Sequence, residues 1–155
     1  MGIEVTGIEE LAVMLQQTGA KAQKGVSEQM KREAIKIRDL ARKFAPVDYG
    51  NLEDAIQLGE DGGERDDFSG RFTRKSYTVF IDMEHPAEEG KVVGDYAYLM
   101  HEHLMPYGPF KLGEHSLAKQ AGQTEMVGGM YLDRAVDQVT EGMMRRLIDV
   151  ARTYL

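Results

Sequence analysis

The stretch MKREAIKIRDLARKFAPVDYGNL (residues 30–52) contains a regular apolar pattern that is followed by a proline and a turn sequence. Pro46 ends a helix here, because the residue before a proline is pushed out of helical geometry. Asp48 and Gly50 are turn residues, and Leu52 returns the chain to the core. The apolar positions before the stop recur at steps of four and three, which predicts one face of an amphipathic helix: Met30, Ala34, Ile37, Ala41 and Phe44.

The remaining faces of this helix are basic. Lysine or arginine occupies positions 31, 32, 36, 38, 42 and 43, and Glu28, Glu33 and Asp39 interrupt the run. Such a face is usually solvated, but it can also contact nucleic acid or an acidic surface on a partner. Ser27 is the predicted N-cap of the helix.

A further helix is predicted upstream of this stretch. Thr6 and Glu9 have the spacing of a capping box, and Ile8, Leu11 and Leu15 recur at helical spacing. This first helix is expected to end near residues 18–19 or to continue weakly through AKAQK (20–24). Together with the basic helix it forms an N-terminal amphipathic pair.

The last segment of the chain predicts one long helix. Asp133 lies in its first turn, and Arg145, Arg146 and Arg152 lie late, which suits the helix dipole. A single apolar stripe runs along it for about six turns: Leu132, Val136, Val139, Met143, Leu147, Val150 and Tyr154.

The middle of the chain carries strand and loop signals. LEDAIQL (52–58) fits either a strand or a short helix, while SYTVFIDM (76–83) and KVVGDYAYL (91–99) predict strands. The Gly-rich, charged residues 59–75 predict a long mobile loop, either a solvated hairpin connection or a segment that orders against a partner. Residues 104–129 predict an irregular segment with one short helix around 116–120.

These elements predict a single domain, residues 1–155, of the α+β class. Helices and strands do not alternate along the chain, which favours a small antiparallel sheet over a parallel one. The N-terminal amphipathic helix pair and the long C-terminal helix are expected to pack on that sheet. An apolar fraction of 42% is sufficient for one core in a chain of this length.

Composition excludes several classes of function. The chain has no Cys, which excludes disulfides and thiolate zinc sites. It lacks a signal-peptide pattern and any apolar run long enough to span a membrane. Its formal charge of −7 does not favour bulk attraction to nucleic acid, although a local basic patch stays possible.

The segment YAYLMHEHLMPYG (96–108) raises the question of a metal or catalytic centre. His101 and His103 flank Glu102. On a helix the two imidazoles point apart, whereas on a strand they share a face that His85 or His115 could join. The zinc-hydrolase pattern is His-Glu-x-x-His, which this sequence does not have. No nucleophile elbow or phosphate loop is present either, so the preferred interpretation is structural, with no metal and no cofactor.

Three motifs in this order resemble those of the neck proteins of long-tailed double-stranded-DNA bacteriophages. These proteins are also called head–tail connector, tail-completion or minor capsid morphogenesis proteins. The motifs are APVDYGNL (45–52) at a helix end, YAYLMHE (96–102) after the strands, and YLDRA (131–135) at the start of the C-terminal helix. The family pattern usually has Thr where this chain has Tyr49.

The resemblance implies a structural virion protein without enzymatic activity. It implies a ring, expected to be a hexamer, that joins portal-side connector proteins to tail terminator or tail tube proteins. DNA would pass through the channel without sequence-specific binding, and the protein would be made in the bacterial host cytoplasm and reside in the virion neck. The resemblance assigns structural roles to the motif residues Pro46, Asp48, Gly50, Leu52, Tyr96, Ala97, His101, Glu102, Leu132 and Ala135.

Two alternatives from other classes stay open. One is a metal-dependent enzyme centred on His101, Glu102 and His103. The other is a small nucleic-acid-binding regulator that uses the basic helix, for which steeply salt-dependent DNA binding would be the signature.

Overall fold

The computed structural model describes residues 2–4, 19–47, 49–67 and 70–154. The described part combines a three-stranded antiparallel sheet with helices that pack on it, so the predicted α+β class is confirmed. The helix predicted from Thr6 lies outside the described residues. None of the helices in the described ranges has the length and apolar character needed to cross a membrane.

The longest helix, α1, spans Gly19–Phe44. Its predicted face is correct: Ala34, Ile37, Ala41 and Phe44 are all buried. The predicted start at Ser27 is wrong, because the helix begins eight residues earlier. The extra turns are explained by tertiary packing, since they bury further apolar side chains against the C-terminal helix.

The sheet has the order β1-β3-β2, with β1 at Gly2–Glu4, β2 at Ile56–Asp67 and β3 at Gly70–Ile81. The predicted loop is wrong over residues 59–67 and 70–75, which continue β2 and β3 with a register that runs from Ile56↔Ile81 to Asp67↔Gly70. Residues 68 and 69 lie outside the described residues. Pairing with β3 overrides the low strand propensity of the Gly-rich sequence. The ambiguous segment before it divides into a short helix, α2 (Asn51–Ala55), and the start of β2.

The strand predicted over residues 91–99 is also absent. A 3₁₀ turn at Val93–Asp95 leads into helix α3, Ala97–His103. The side chains buried here are Val93, Ala97 and His101, at steps of four, so burial follows a helical period and not the alternation that the sequence suggested.

The predicted irregular segment contains one short helix, α4, at Glu114–Ala121. The predicted long C-terminal helix is divided in two: α5 spans Tyr131–Thr140 and α6 spans Met143–Arg152. The break falls at Gly142, whose φ of 74° is left-handed and suits a residue without a Cβ.

Two apolar clusters lie along α1. The main core contains fifteen buried residues from the second half of α1, α2, the sheet, α3 and α5. The second cluster contains four, namely Ala22, Val26, Leu147 and Ala151, and joins the first half of α1 to α6. The break between α5 and α6 lets one apolar stripe serve both clusters.

Candidate assembly surface

The three motif segments meet around α3. The Tyr131 hydroxyl donates a hydrogen bond to the Ala97 carbonyl at 3.3 Å, and the Met130 amide donates to the His101 carbonyl at 2.7 Å. The rings of His101 and Tyr131 are 4.8 Å apart in an edge-on arrangement. Burial raises the pKa of the Tyr131 phenol well above its ordinary value, so it stays a neutral donor.

His101 is buried between two carboxylates, with 2% of its side chain exposed. Its Nδ1 lies 3.0 Å from Oε1 of Glu102. Its Nε2 lies 3.2 Å from Oδ2 of Asp133, and among the described residues this buried nitrogen forms no hydrogen bond. The His101 ring is therefore hydrogen-bonded within α3, and it contacts the start of α5 through the Tyr131 ring.

His103 points away from His101, as the helical spacing requires. It is exposed and lies edge-on to Tyr98 and Phe110, with ring centroids 6.1 and 6.2 Å away. Within the described ranges, no group of three His, Asp or Glu side chains is arranged to hold a metal ion. The His-Glu-His stretch is thus divided between a buried structural position and a surface position.

The end of α1 is held by side chains that the sequence did not single out. Lys119 on α4 donates to the carbonyls of Arg42 at 2.6 Å and Ala45 at 2.8 Å, and it also pairs with Glu53. The Ser116 hydroxyl donates to the Val47 carbonyl at 2.8 Å and accepts from the Val47 amide at 2.9 Å. These bonds satisfy the carbonyls that a helix end leaves without partners.

The first motif adopts the predicted stop and turn in its described part. Pro46 and Leu52 are buried, and Gly50 has a φ of 87°, which only glycine adopts without strain. Asp48 lies outside the described residues. The third motif also lies where expected, since Leu132 and Ala135 are both fully buried in the main core.

Arg134 of the third motif has a role that the sequence did not indicate. Its guanidinium donates to the carbonyls of Met126, Gly128 and Gly129 at 2.8–3.2 Å and lies 4.7 Å from the centre of the Phe44 ring. Burial lowers the pKa of this arginine. Arg134 thereby fixes the loop before α5 against the end of α1.

A groove of about 530 Å³ opens beside these junctions. Its apolar lining comes from the first two motif segments and the residue after α3: Pro46, Leu52, Tyr96, Met100 and Leu104. Glu88, Glu89 and Lys91 contribute charge on one side, and Lys111 on another. The arrangement is suited to a peptide segment with apolar anchors, since it combines an apolar lining with mixed charges.

Large apolar side chains are exposed around the end of α3. Tyr98 is 55% exposed, and Met105, Tyr107 and Phe110 in the following loop are 46–54% exposed. Backbone hydrogen bonds between residues 103–105 and 110 hold this loop compact. We call these four residues the aromatic patch. Patches of this kind on a folded protein commonly mark an interaction site.

The basic face of α1 is mostly paired within the chain. Lys31 bonds Glu60 at 2.7 Å, Arg38 bonds Asp39, and Arg42 donates to the Ile56 carbonyl at 2.9 Å. Lys36 bonds Glu33. These pairings reduce the continuous positive surface that a nucleic-acid interface on this helix would need.

Glu33 proves to be buried and is not part of a solvated face. Arg146 on α6 holds it with two hydrogen bonds of 2.9 Å, and Gln29 and Lys36 add further bonds. Burial opposes ionisation, but these bonds outweigh it and hold the pKa of the Glu33 carboxyl below its ordinary value. The one sequence signal was spacing, because Glu33 lies four residues before the buried Ile37.

Comparisons of the chain with protein-family models, with curated proteins and with solved structures find no match.

Proposed function

We propose that the protein is a structural, non-enzymatic component of the phage head–tail junction. It assembles as a ring around the DNA channel, between portal-side connector proteins and the tail terminator or tail tube. The observation that carries the proposal is the meeting of the three motif segments around α3. The second and third segments contact each other through Tyr131 and His101. Ala45 and Leu52 of the first segment lie in the same buried cluster.

The surface beside this unit supports a binding role. The groove is lined in part by the first two motif segments, and the aromatic patch begins at Tyr98 in the second segment and continues in the loop after it. In the neck, a segment of an adjacent protein would occupy the groove and cover the patch. Binding energy from these apolar contacts would lock the joint, and peripheral charges would fix its orientation.

The acidic charge supports passage of DNA without retention. A formal charge of −7 on each copy repels phosphates, which favours sliding past the ring over adhesion to it. The lysines and arginines of α1 that pair within the chain also attract DNA less than free cations would.

The first test is the sequence of a few kilobases on either side of the gene. Genes for a portal, a major capsid protein and a tail tube are expected. Flanking metabolic or regulatory genes would overturn the proposal.

The second test is genetic, in a phage that carries the gene. An amber mutation is expected to leave DNA-filled heads and separate tails, visible by electron microscopy. Complementation with the wild-type gene should restore plaques, whereas Tyr107→Asp with Phe110→Asp should not. Met144→Asp, an exposed apolar position on α6, is the matched control and should complement. Normal, joined virions from the amber mutant would contradict the proposal.

A further inference from the structure

The break between α5 and α6 lacks the sequence features of a helix end and a helix start. Gly142, the N-cap of α6, offers no side-chain cap, and the first turn of α6 contains no acidic residue. Arg145 and Arg146 follow instead, close to the positive end of the helix dipole. The last turn of α5 contains no basic residue, and Glu141 adds negative charge at the negative end of that helix. The charges on both sides of the break are therefore of the unfavourable sign.

A continuous helix over residues 131–152 would remove these unfavourable features. Asp133 would lie in its first turn and Arg152 in its last turn, which suits the dipole at both ends. The apolar positions continue through the break at helical spacing, from Val139 to Met143. The sequence therefore favours a second arrangement, in which α5 and α6 form one straight helix. We call the arrangement seen in the structure closed and the second one straight.

The closed and straight arrangements direct the buried face of α6 differently. In the closed arrangement Leu147 and Ala151 are buried on α1, while Leu132 and Val139 are buried in the main core. At about 100° per residue, these two pairs would lie roughly 60–120° apart around a straight helix. The left-handed turn at Gly142, with a φ of 74°, compensates for that offset. In the straight arrangement Leu147 and Ala151 would therefore turn away from the α1 of their own chain.

The contact that the straight arrangement would release is small but specific. Arg146 on α6 holds Glu33 on α1 with two hydrogen bonds of 2.9 Å. The apolar part buries four side chains: Ala22, Val26, Leu147 and Ala151. Once separated, the two released surfaces remain complementary to the same surfaces of a second copy. An exchange of α6 between copies therefore needs no new interface.

We propose that α6 of one copy, in the straight arrangement, packs on the first half of α1 of a second copy of this chain. The exchanged contact repeats the closed one, including the pair between Arg146 and Glu33. Its two surfaces are different, so the contact is head-to-tail, which is the type that closes into a ring. Short, strained connections favour such exchange, and here only Glu141 and Gly142 join the two helices. This inference rests on the proposed ring and names the surface through which copies meet.

The first test changes the balance between the two arrangements. Gly142→Ala disfavours the left-handed turn and favours the straight helix, because alanine is strained at this φ and is the best helix former. Gly90→Ala is the matched control, since Gly90 also has a φ of 74° and an added Cβ meets nothing within 4 Å there. Each full-length chain is incubated at millimolar concentration just below its melting temperature, then cooled, diluted and analysed by sedimentation velocity. Circular dichroism checks that each variant folds.

The wild-type chain should be mainly monomeric, because the closed arrangement satisfies α6 within one chain. Gly142→Ala should raise the ratio of oligomer to monomer by about tenfold, and Gly90→Ala should leave it unchanged. The oligomers should persist after dilution, because dissociation requires α6 to leave the neighbouring copy. A short run of glycines inserted after Gly142 should abolish them, because a longer connection closes without strain.

The second test identifies the exchanged contact by charge reversal. Glu33→Arg and Arg146→Glu, each combined with Gly142→Ala, place like charges between α1 and α6 when a variant pairs with itself. In an equimolar mixture, α6 of each variant meets the opposite charge on α1 of the other. Mixed oligomers should therefore exceed unmixed ones by about tenfold in native mass spectrometry. Arg145→Glu, at an exposed neighbour, replaces Arg146→Glu in the control mixture and should give no such excess.

A monomeric Gly142→Ala chain, equal association of Gly90→Ala, or mixing of the charge-reversed variants without preference would each overturn the inference. If a charge-reversed variant does not fold, Gly142→Ala and the glycine insertion decide the question. Failure of the exchange leaves the proposed function intact if the amber mutant still yields unjoined heads and tails. Conversely, preferential mixing in a protein whose loss leaves virions normal would retain the exchanged contact and overturn the neck assignment.

Discussion

The two apolar clusters along α1 are stabilised by different means. The main core buries fifteen residues, including Tyr131, Leu132 and Ile37, and contains no ion pair among them. The second cluster buries four residues, two of which are alanines, and beside it Arg146 holds the buried Glu33. The second half of α1 is therefore held by a large apolar area together with the Lys119 contacts at its last turn, whereas the first half combines a small apolar area with the Arg146–Glu33 pair.

The difference teaches how a small contact can still be specific. Four buried side chains, two of them alanines, remove less apolar area from water than the fifteen of the main core, so they stabilise α6 less. Glu33 is buried while Arg146 stays partly exposed, and any arrangement that separates them leaves an uncompensated buried carboxylate. Arg146 also donates to the Val139 carbonyl at 2.7 Å and the Glu141 carbonyl at 3.2 Å, which fixes α6 relative to the end of α5.

Removal of a leucine from each cluster should give the largest difference between them in the free energy of unfolding. Leu132→Ala is expected to lower the free energy of unfolding by about 4 kcal/mol, because it leaves a cavity in the main core. Leu147→Ala should cost less, since the smaller cluster can collapse, and its effect on amide exchange should concentrate in α6 and the first half of α1. Urea unfolding measures the first and native-state hydrogen exchange the second. Leu117→Ala, 55% exposed, is the control.

The division into two clusters would be contradicted if Leu132→Ala and Leu147→Ala lowered the free energy of unfolding equally. In that case each variant should also raise amide exchange uniformly along the chain.

Replacement of Arg146 should have the next largest effect on the free energy of unfolding. Arg146→Met is expected to cost about 3 kcal/mol, because Glu33 then stays buried with only Gln29 and Lys36 as partners. Combining it with Glu33→Met should cost much less than the two single changes added together. Arg145→Met changes an exposed neighbour and should stay within about 0.5 kcal/mol of the wild type. Additive costs in this double-mutant cycle, measured by urea unfolding, would show that the pair is not coupled.

Loss of the Ser116 hydroxyl, which bonds Val47 just after the C-terminal end of α1, should have a smaller effect on the free energy of unfolding. Ser116→Ala removes two hydrogen bonds to Val47 and is expected to cost about 1–2 kcal/mol. Ser27→Ala, which removes a single contact with the Tyr77 hydroxyl at 3.1 Å, should cost less and serves as the comparison. Thermal and urea unfolding together measure both. A larger cost for Ser27→Ala would show that the end of α1 does not depend on α4.

The smallest expected effect is a change in the pH dependence of the free energy of unfolding when Glu33 is replaced. Because the folded-state pKa of Glu33 is lowered, its ionised form stabilises the protein fully above the ordinary carboxyl pKa of about 4.5. That contribution is lost as the pH falls through the folded-state value. The gap in unfolding free energy between wild type and Glu33→Gln should therefore be constant near neutral pH and shrink below about pH 4.5. Glu28→Gln, at an exposed position on the same helix, is the matched control, and a gap that persists in acid would contradict the assignment.

The sequence predicted elements with strong periodicity and missed those defined by contacts. The apolar face of α1 was read correctly because Ala34, Ile37 and Ala41 repeat at helical spacing. The strand over Gly59 and its charged neighbours was missed, because pairing with β3 stabilises a sequence with poor strand propensity. The break at Gly142 was missed because the apolar stripe continues across it.

The candidate site was predicted in part for the same reason. Pro46, Gly50 and Leu52 act locally, through proline geometry, glycine torsion and burial, so their neighbours in sequence suffice. The ties from Lys119 and Ser116 reach back 66–77 residues, and no local pattern marks a side chain that will cap a distant helix. Glu33 was assigned to a solvated face because its partner lies 113 residues later.

That last separation bears on how the chain is made. A ribosome that adds about 5–20 residues per second completes α1 roughly 5–20 seconds before Arg146 is synthesised. Throughout that interval the Glu33 carboxylate and the side chains of Ala22 and Val26 lack the surface that later covers them. The first half of α1 should thus reach its native environment only near the end of translation. Nascent chains stalled before α6 should be cut by protease in residues 19–33, and chains stalled after it should resist.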